Sequence, residues 1–211
     1  MTVFDESAWE ERYRSAPAVW SREPNPQLVA EVSDLLPGTA LDVGCGEGAD
    51  ALWLAGRGWQ VTAVDFSTTA LDRGAAHAQA LGREVAARIE WRHADLRSWA
   101  PPPRSYDLVS AQYMHLPSAE RRPLFARLAA AVVPGGTLLL VGHDVSDLET
   151  AAHRVHEPDM FFTAEEVAAS LVPREWDVLV VDARPRPAKS HEGEGITVHD
   201  AVLRARRTGQ G

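Results

Sequence analysis

The sequence predicts an α/β fold: a mostly parallel sheet of seven strands, with helices on both faces and an antiparallel strand at the C-terminal end. Strand patterns alternate with helical patterns from residue 40 to residue 142, the order that the crossovers of a parallel sheet require. The last two strand patterns are separated by a loop with no helical pattern, as in an antiparallel hairpin. A chain of 211 residues is long enough to bury one substantial core.

The N-terminal half is expected to contain two helices and then the start of the alternating series. The apolar spacing over residues 8–13 favours a short amphipathic helix. Asn25 and Pro26 supply a cap and a first-turn proline for a second helix, which Pro37 and Gly38 end. The expected elements that follow are a strand at 40–43, a helix at 48–56, a strand at 60–65, a helix at 67–81 and a strand at 88–92.

The C-terminal half continues the alternation and then changes character. Thr163 and Glu166 form a capping box in front of a short helix. The segment 184–195 is rich in Pro, Arg and Gly, which predicts a loop. The other expected elements are a strand at 106–111, a helix at 118–133, a turn at 134–136 and strands at 137–142, 176–183 and 196–206.

The acidic composition narrows the class of partner. A net charge of −9 and a pI near 5.3 repel a phosphate backbone, so we expect a small-molecule partner and no nucleic acid. The single cysteine, Cys45, rules out an internal disulfide and suits a reducing cytoplasm. No apolar run approaches the roughly 18 residues of a membrane span, and the first residues lack the basic start of a signal peptide. We therefore expect a cytoplasmic protein with no membrane partner.

A glycine-rich turn follows the first strand of the series. Gly44 and Gly46 lack a Cβ, so the chain can turn sharply there and its N–H groups can approach a ligand closely. Asp65 ends the next strand, where a carboxylate can accept hydrogen bonds from both hydroxyls of a ribose. This pairing predicts a nucleotide-like cofactor. The turn alone leaves its identity open, because Gly44 to Ala49 also fits the dinucleotide fingerprint G-x-G-x-x-A.

Five segments in order resemble the class I S-adenosylmethionine-dependent methyltransferases, and the resemblance covers nearly the whole chain. They are 41–48, 65–67, 94–96, 106–110 and 134–136. The resemblance implies a Rossmann-like seven-stranded sheet with a reversed terminal strand, S-adenosyl-L-methionine as cofactor and S-adenosyl-L-homocysteine as product. Within this superfamily, the segments 9–20 and 162–166 are similar to the small tellurite-resistance and thiopurine type of methyltransferase.

The resemblance implies a role for each cofactor-binding position. Asp42 and nearby carbonyl groups would hold the ammonium of the methionyl tail, while N–H groups of the glycine turn would hold its carboxylate. Asp65 would bind the ribose, and the adenine would lie between Phe66 and Leu96 with its amino group donating to Asp95. The full expected set is Tyr13, Trp20, Asp42, Gly44, Cys45, Gly46, Asp65, Phe66, Ser67, Asp95, Leu96 and Gln112.

Two histidines are candidates for a general base, because each follows a strand at the rim where open α/β sheets place their sites. His115 follows the fourth strand and His143 the fifth, and an ordinary imidazole suits proton transfer near neutral pH. A base is needed only if the acceptor arrives protonated. Solvent-facing or capping roles are the alternatives for both. The expected acceptor-binding set is Trp20, Tyr113, His115, His143, Arg186 and His191.

No metal is expected at the site. Asp144 and Asp147 lie near the expected rim but lack obvious partner ligands. His153 and His156 form an i, i+3 pair without a third or fourth ligand.

We expect one methyltransferase domain over residues 1–211. Residues 1–36 would form an N-terminal helical lid or cap, residues 37–150 the cofactor-binding half and residues 151–211 the substrate-side part. The expected reaction is methyl transfer to a small-molecule oxygen, nitrogen, sulfur or metalloid nucleophile. A NAD-dependent oxidoreductase and a non-catalytic S-adenosylmethionine-binding regulator are the alternatives, and the oligomeric state is open.

Overall fold

A computed structural model describes residues 6–114, 116–149, 158–189 and 193–209. The strands are β1 (Thr39–Val43), β2 (Gln60–Asp65), β3 (Ile89–His93), β4 (Tyr106–Gln112), β5 (Val132–His143), β6 (Trp176–Lys189) and β7 (Gly195–Arg207). The α-helices are α1 (Glu6–Ser15), α2 (Pro26–Val32), α3 (Ala49–Gly56), α4 (Thr68–Leu81), α5 (Arg83–Ala86), α6 (Ser118–Ala131) and α7 (Ala164–Ser170). Two short 3₁₀ helices lie at Val145–Glu149 and Pro158–Met160.

The seven strands form one sheet in the order β3-β2-β1-β4-β5-β7-β6. Strands β1 to β5 pair in parallel, and β7 runs antiparallel to both β5 and β6. This arrangement confirms the predicted fold class. Because strand order reverses beside β1, the ends of β1, β2, β4 and β5 surround a crevice at the carboxyl edge of the sheet, where open α/β sheets bind their ligands.

The core lies on both faces of the sheet, because successive residues of a strand point to opposite sides. Ala40 packs with α2 and α3 on one face, while its neighbour Leu41 packs with α6 and α7 on the other. Trp59 and Phe162 are among the largest fully buried side chains, one on each face. Burial of such aromatic side chains contributes on the order of 2–3 kcal/mol each, which fixes the strands that carry the site.

The end of the chain differs from the sequence-based expectation. The segment 184–195 was expected to be a loop, but β6 continues to Lys189 and β7 begins at Gly195. Proline was the misleading signal, because Pro185 and Pro187 remove ladder donors. They are tolerated here since β6 is the outermost strand of the sheet. Smaller differences are α2, which ends earlier than expected, and β5, which begins earlier and includes the expected 134–136 turn.

The extra length of β6 and β7 builds a two-stranded arm, residues 184–189 and 195–200. Pairing of β5 with β7 stops at His143 and Asp200. Pairing of β6 with β7 continues from Arg184 opposite Asp200 to Lys189 opposite Gly195. The arm therefore projects past the carboxyl end of β5, on the side of the sheet where the crevice lies.

The helices have lengths typical of a globular protein. Among the described residues, none of them combines the length and apolar composition needed to cross a lipid bilayer. The division into a lid, a cofactor half and a substrate-side part stays a prediction.

Candidate active site

The glycine turn has the backbone shape that the sequence predicted. Gly44 and Gly46 have φ values of 69° and 52°, in the left-handed region that L side chains rarely adopt. A Cβ at Gly46 would also lie 2.9 Å from the hydroxyl oxygen of Tyr13. Tyr13 therefore approaches the turn closely on this side, and glycine is required at position 46 for both conformation and space.

Asp65 joins the two loops at the ends of β1 and β2. Its Oδ2 accepts from the N–H of Gly46 at 2.9 Å, and its Oδ1 accepts from the N–H of Ser67 at 2.9 Å. Burial raises the pKa of Asp65, and these hydrogen bonds partly oppose the rise. Each carboxylate oxygen accepts more than one hydrogen bond, so Asp65 retains capacity for a ligand hydroxyl.

Two more carboxyl groups lie beside the glycine turn. Burial raises the pKa of Asp50 to about 6, and the N–H of Asn25 donates to its Oδ1 at 2.6 Å. Burial, followed by the charges of Asp50 and Asp65, raises the pKa of Asp42 well above its ordinary value. The Oδ2 atom of Asp42 is buried and has no hydrogen-bond partner among the described residues. Three acids in one place, of which Asp42 and Asp65 are buried and Asp50 is half-buried, create a demand for positive charge.

The N-terminal segment at residues 6–25, which we call the lid although that role stays a prediction, packs aromatic side chains against the glycine turn. The indole N–H of Trp20 donates to the Tyr13 hydroxyl at 2.8 Å, and Tyr13 is buried. The ring centroid of Trp9 lies 5.9 Å from that of Trp20 and 6.1 Å from that of Tyr13. The guanidinium of Arg12 lies over both indoles, 4.9 Å from Trp9 and 5.2 Å from Trp20.

The ends of β4 and β5 form the opposite wall. Tyr113 has a φ of 51°, which is rare for a bulky residue and is held by its N–H donating to the carbonyl of Val141 at 2.8 Å. Its ring centroid lies 4.9 Å from that of His143. Gln112 donates to the Ser110 hydroxyl, while its own Oε1 is buried without a partner in the described part of the chain. Strained backbone and an unpaired polar atom are typical of a binding site.

Arg186 reaches this wall from the arm. Its Nε donates to both carboxylate oxygens of Asp200 at 2.9 Å, and its guanidinium lies 5.7 Å from the ring centroid of Tyr113. Asp200 is fully buried and also accepts from the side-chain amide of Gln27 on α2 at 3.1 Å. The Tyr113 hydroxyl hydrogen-bonds both Asp200 and Arg186, and burial is the main cause of its raised pKa. The arm, α2 and β4 are thus tied together around Asp200.

A cavity of about 600 Å³ lies between the lid, the glycine turn and this wall. Eleven of the residues predicted for the site line it, namely Tyr13, Trp20, Gly44, Cys45, Gly46, Asp65, Phe66, Gln112, Tyr113, His143 and Arg186. Its volume lies within the range of small-molecule and cofactor sites. His115 and His191 lie outside the described residues.

Four predicted residues do not line the cavity. Asp42 lies beneath the turn, and Ser67 caps α4 by accepting from the N–H of Ala70 at 3.1 Å. Asp95 accepts from the backbone N–H of Arg97 and forms an ion pair with its guanidinium at 2.9 Å, so its carboxylate is already paired. Leu96 is buried in the core. Roles for Asp95 and Leu96 at an adenine stay predictions.

The acidic residues weighed as metal ligands have other roles. Asp144 accepts from the N–H of Ser146 at 3.0 Å, and Asp147 accepts from the N–H of His199 at 2.8 Å. Across ranges 6–114, 116–149, 158–189 and 193–209, no three His, Cys, Asp or Glu side chains come together in a group that could hold a metal ion. His153 and His156 lie outside these ranges.

Several site residues were missed by sequence reasoning. Asp50 reads in the sequence as an ordinary acid in the first turn of a helix, and Glu47 as a spacer between glycines. Asp200 had one signal, since it is an acid at the beginning of the apolar run 201–203 in a strand. Cys45 lines the cavity, and burial raises the pKa of its thiol well above the ordinary value, so it is not a thiolate nucleophile.

Comparison with known proteins shows what the chain is similar to. The methyltransferase domain family matches residues 40–136, which include the glycine turn, Asp65 and β4. An uncharacterised methyltransferase of Mycobacterium bovis is 40% identical over 103 residues, 48% of this chain and 48% of that protein. A trans-aconitate 2-methyltransferase of Rhizobium meliloti is 32% identical over 148 residues, 69% of this chain and 51% of that protein. The chain thus spans about half the length of these curated relatives.

Solved structures extend the similarity in fold to nearly the whole chain. A protein studied for the conversion of a disulfide bond into a thioacetal group during echinomycin biosynthesis matches with a TM-score of 0.74 and 23% identity, covering 98% of this chain and 93% of that one. TehB from Haemophilus influenzae matches with a TM-score of 0.69 and 18% identity, covering 96% and 67%. The TehB match agrees, at the level of fold, with the predicted similarity to the tellurite-resistance type. With this strand order and glycine turn, the chain is similar to the class I S-adenosylmethionine-dependent methyltransferases, through its match to the methyltransferase domain family at residues 40–136.

Proposed function

We propose that this protein transfers a methyl group from S-adenosyl-L-methionine to a small-molecule acceptor and releases S-adenosyl-L-homocysteine. The observation that carries the proposal is the group of three carboxyl groups with raised pKa at the glycine turn, the buried Asp42 and Asp65 and the half-buried Asp50. S-adenosylmethionine brings a sulfonium and an ammonium, so it supplies the positive charge that this group lacks.

The same carboxyl groups count against the dinucleotide alternative. A pyrophosphate carries negative charge and would have to lie at the glycine turn, within reach of Asp50 and Asp65. Like charges in a buried crevice repel each other strongly because screening is weak there. The G-x-G-x-x-A match is therefore better explained by the turn geometry that both cofactor classes use.

The chain offers suitable partners for each part of S-adenosylmethionine. Gln112 lines the cavity, and its buried Oε1, which has no partner in the described residues, suits the ammonium. Asp42 lies beneath the turn, and its contact with the ammonium stays a prediction. Asp65 suits the ribose hydroxyls, and Phe66 lines the cavity next to it, where its ring can cover the adenine. When bound, S-adenosylmethionine supplies an electrophilic methyl group on a positively charged sulfur.

The acceptor is proposed to lie between the lid and the wall formed by Tyr113, His143 and Arg186. Aromatic rings on both sides favour a flat or soft acceptor. Arg186 uses its Nε on Asp200 and hydrogen-bonds Tyr113, yet a guanidinium has five N–H donors. The remaining donors suit a carboxylate or another oxyanion on the acceptor. The name of the trans-aconitate methyltransferase describes an acceptor of this kind for that relative.

Alignment and exclusion of water are the main contributions expected from the protein. An acceptor held between Tyr113 and the lid faces the cofactor end of the cavity, which favours in-line displacement. His143 would take the acceptor proton where one must leave, and His115 stays a candidate for the same role. An acceptor that is already ionised has no proton to lose and needs neither histidine.

The test is binding followed by turnover. Titration calorimetry with S-adenosylhomocysteine and with NADH separates the two cofactor classes, and we expect binding of the first alone. Turnover is then measured as S-adenosylhomocysteine formed with a panel of flat carboxylates, phenols, thiols, amines and tellurite. NADH binding without S-adenosylhomocysteine binding would support the oxidoreductase. Binding of S-adenosylhomocysteine with no turnover on any acceptor would support a regulator.

A further inference from the structure

The lid is fastened to the elements that surround the cofactor cavity. The cavity lies between the lid residues Trp9, Tyr13 and Trp20 on one side and the turn at Gly44 and Gly46 on the other. A molecule that fills the part of the cavity beneath Tyr13 and Trp20 can leave on that side only if these side chains move. What holds the lid in place therefore bears on how fast such a molecule is released.

The main fastening is the ion pair between Glu47 and Arg73. Glu47 lies between two glycines of the turn, and its Oε2 accepts from the backbone N–H groups of Val19 at 3.1 Å and Trp20 at 3.2 Å. Its Oε1 accepts from Arg73 on α4 at 2.8 Å, and only 10% of the Glu47 side chain is exposed. One carboxylate thus joins the lid, the glycine turn and α4.

Arg73 completes the fastening from the other direction. Its second terminal nitrogen donates to the backbone carbonyls of Tyr13 and Ala16, each at 2.8 Å. Five hydrogen bonds therefore involve the pair. One joins Arg73 to Glu47, and the other four join the pair to N–H and carbonyl groups of the lid backbone. Because the pair contacts lid backbone, it fixes the path of the chain from Tyr13 to Trp20 rather than one side chain.

The Glu47 carboxylate is held in its ionised form. Burial by itself would raise the pKa of Glu47, but the hydrogen bonds from Arg73, Trp20 and Val19 outweigh it and the pKa lies below its ordinary value. Hydrogen bonds to an ionised group of this kind are stronger than neutral ones. Two further fastenings flank the pair. The Glu10 carboxylate accepts from the hydroxyls of Ser67, at 2.6 Å, and Thr69, and the Asn25 N–H donates to Asp50.

We propose that Glu47 and Arg73 form a latch that positions the lid over the cavity and limits the rate at which S-adenosylhomocysteine leaves. Only the identity of the released molecule rests on the proposed function. The latch is built from residues that were absent from the sequence-based site, and both act through Tyr13 and Trp20. They are positioning residues, not catalytic ones.

The first measurement is hydrogen exchange of the lid in the protein without ligand. In Glu47→Ala, the amides of Val19 and Trp20 lose their acceptor, and we expect them to exchange at least about tenfold faster than in the wild type. Arg73→Met keeps the packing of the stem and removes the donors to Tyr13 and Ala16, so it should have the same effect. If the latch is one unit, the double variant is no faster than the faster single variant.

A matched control distinguishes the latch from loss of any ion pair. Glu84→Ala removes a carboxylate on α5, away from the cavity. This carboxylate pairs with Arg88 at 2.6 Å. This variant should leave lid exchange unchanged. Exchange of core amides in β1 should stay at the wild-type rate in all variants, which shows that they are folded. Lid exchange within twofold of the wild type in both Glu47→Ala and Arg73→Met would overturn the latch.

The second measurement is the dissociation rate of S-adenosylhomocysteine by stopped-flow Trp fluorescence. We expect dissociation to be about tenfold faster in Glu47→Ala and Arg73→Met. Turnover at saturating acceptor should not fall below the rate that this release permits. A loosened lid with an unchanged dissociation rate would overturn the role in release. If the wild type does not bind S-adenosylhomocysteine, the proposed function fails, and the exchange data still decide whether the latch positions the lid.

Discussion

The two ends of the cavity are built in different ways. The cofactor end comes from one stretch of chain, the turn at 44–48 and the end of β2 at Asp65, whose N–H groups and carboxylate bond each other directly. The acceptor end is assembled from β4, β5, the arm and α2, which are far apart in the sequence and meet at Asp200. A local motif can be recognised from spacing, whereas a site assembled from distant elements depends on packing. Substitutions at one end of the cavity, followed by measurements of stability and of binding at the other end, test this comparison.

The largest effect is expected from Asp200→Ala at the acceptor end. Asp200 is fully buried and bonds Arg186, Gln27 and Tyr113, so its removal leaves a half-buried guanidinium without its partner. Breaking a buried pair costs about 3–5 kcal/mol, and the partial exposure of Arg186 favours the lower figure. Urea unfolding measures the loss of stability.

The matched control for this variant is Asp177→Ala. Asp177 pairs with Arg206 at 3.0 Å on the same two strands, but both side chains are about half exposed. Its removal should cost within about 1 kcal/mol. Equal losses in the two variants would contradict the role given to Asp200. Unchanged affinity for S-adenosylhomocysteine in folded Asp200→Ala would show that the two ends are independent.

The next effect is expected from Asp65→Ala at the cofactor end. The change removes the acceptor for Gly46 and Ser67 and the proposed ribose contact, so affinity for S-adenosylhomocysteine should fall by about 1–3 kcal/mol. Calorimetry measures the loss of affinity.

Asp95→Ala is the comparison, because Asp95 is paired with Arg97 outside the cavity. A loss for Asp95→Ala as large as that for Asp65→Ala would support the predicted adenine contact, and unchanged affinity in Asp65→Ala would contradict the ribose assignment.

Affinity for the cofactor is expected to depend on pH through Asp50. Because burial raises the pKa of Asp50 to about 6, the group gains a proton between pH 7 and pH 5 and loses its attraction for a cation. Affinity for S-adenosylmethionine should therefore fall by about tenfold over that range, since roughly a tenth of the group is ionised one unit below its pKa. The sign for folding is opposite. A raised acid pKa in the folded state makes this group's contribution to stability greatest below about pH 4 and smaller as pH rises through 6.

Asp50→Asn is the control for the pH profile, because it cannot titrate. We expect a flat affinity from pH 5 to pH 7 in this variant, together with weaker binding at pH 7. The same slope in the variant and the wild type would assign the dependence to another group.

The smallest effect is expected from Tyr113→Phe at the acceptor end. The change removes the hydroxyl that bonds Asp200 and Arg186, at a cost of about 1 kcal/mol in stability. KM for the acceptor should rise, while affinity for S-adenosylhomocysteine stays constant. Altered cofactor affinity would show that the wall at the end of β4 serves both ends of the cavity.

The differences between expectation and structure follow the same division. The strand 60–65 and the glycine turn were predicted as they are found, because apolar patterning and glycine spacing are local signals. The arm was expected to be a loop, since prolines in a strand are tolerated only at a sheet edge, and which strand lies at the edge is a tertiary fact. Arg186 was predicted for the acceptor site from a loop, and it lines the cavity from a strand.

The sequence by itself determined the order of strands and helices, the glycine turn and the acid at the end of β2, because each depends on residues that are close along the chain. Only the tertiary structure revealed the buried partners: Asp50 beside Asp42, Asp200 beneath Arg186 and Tyr113, and Glu47 beneath the lid. These roles depend on burial and on contacts between distant segments. Neither can be read from the residues next to an acidic residue in the sequence.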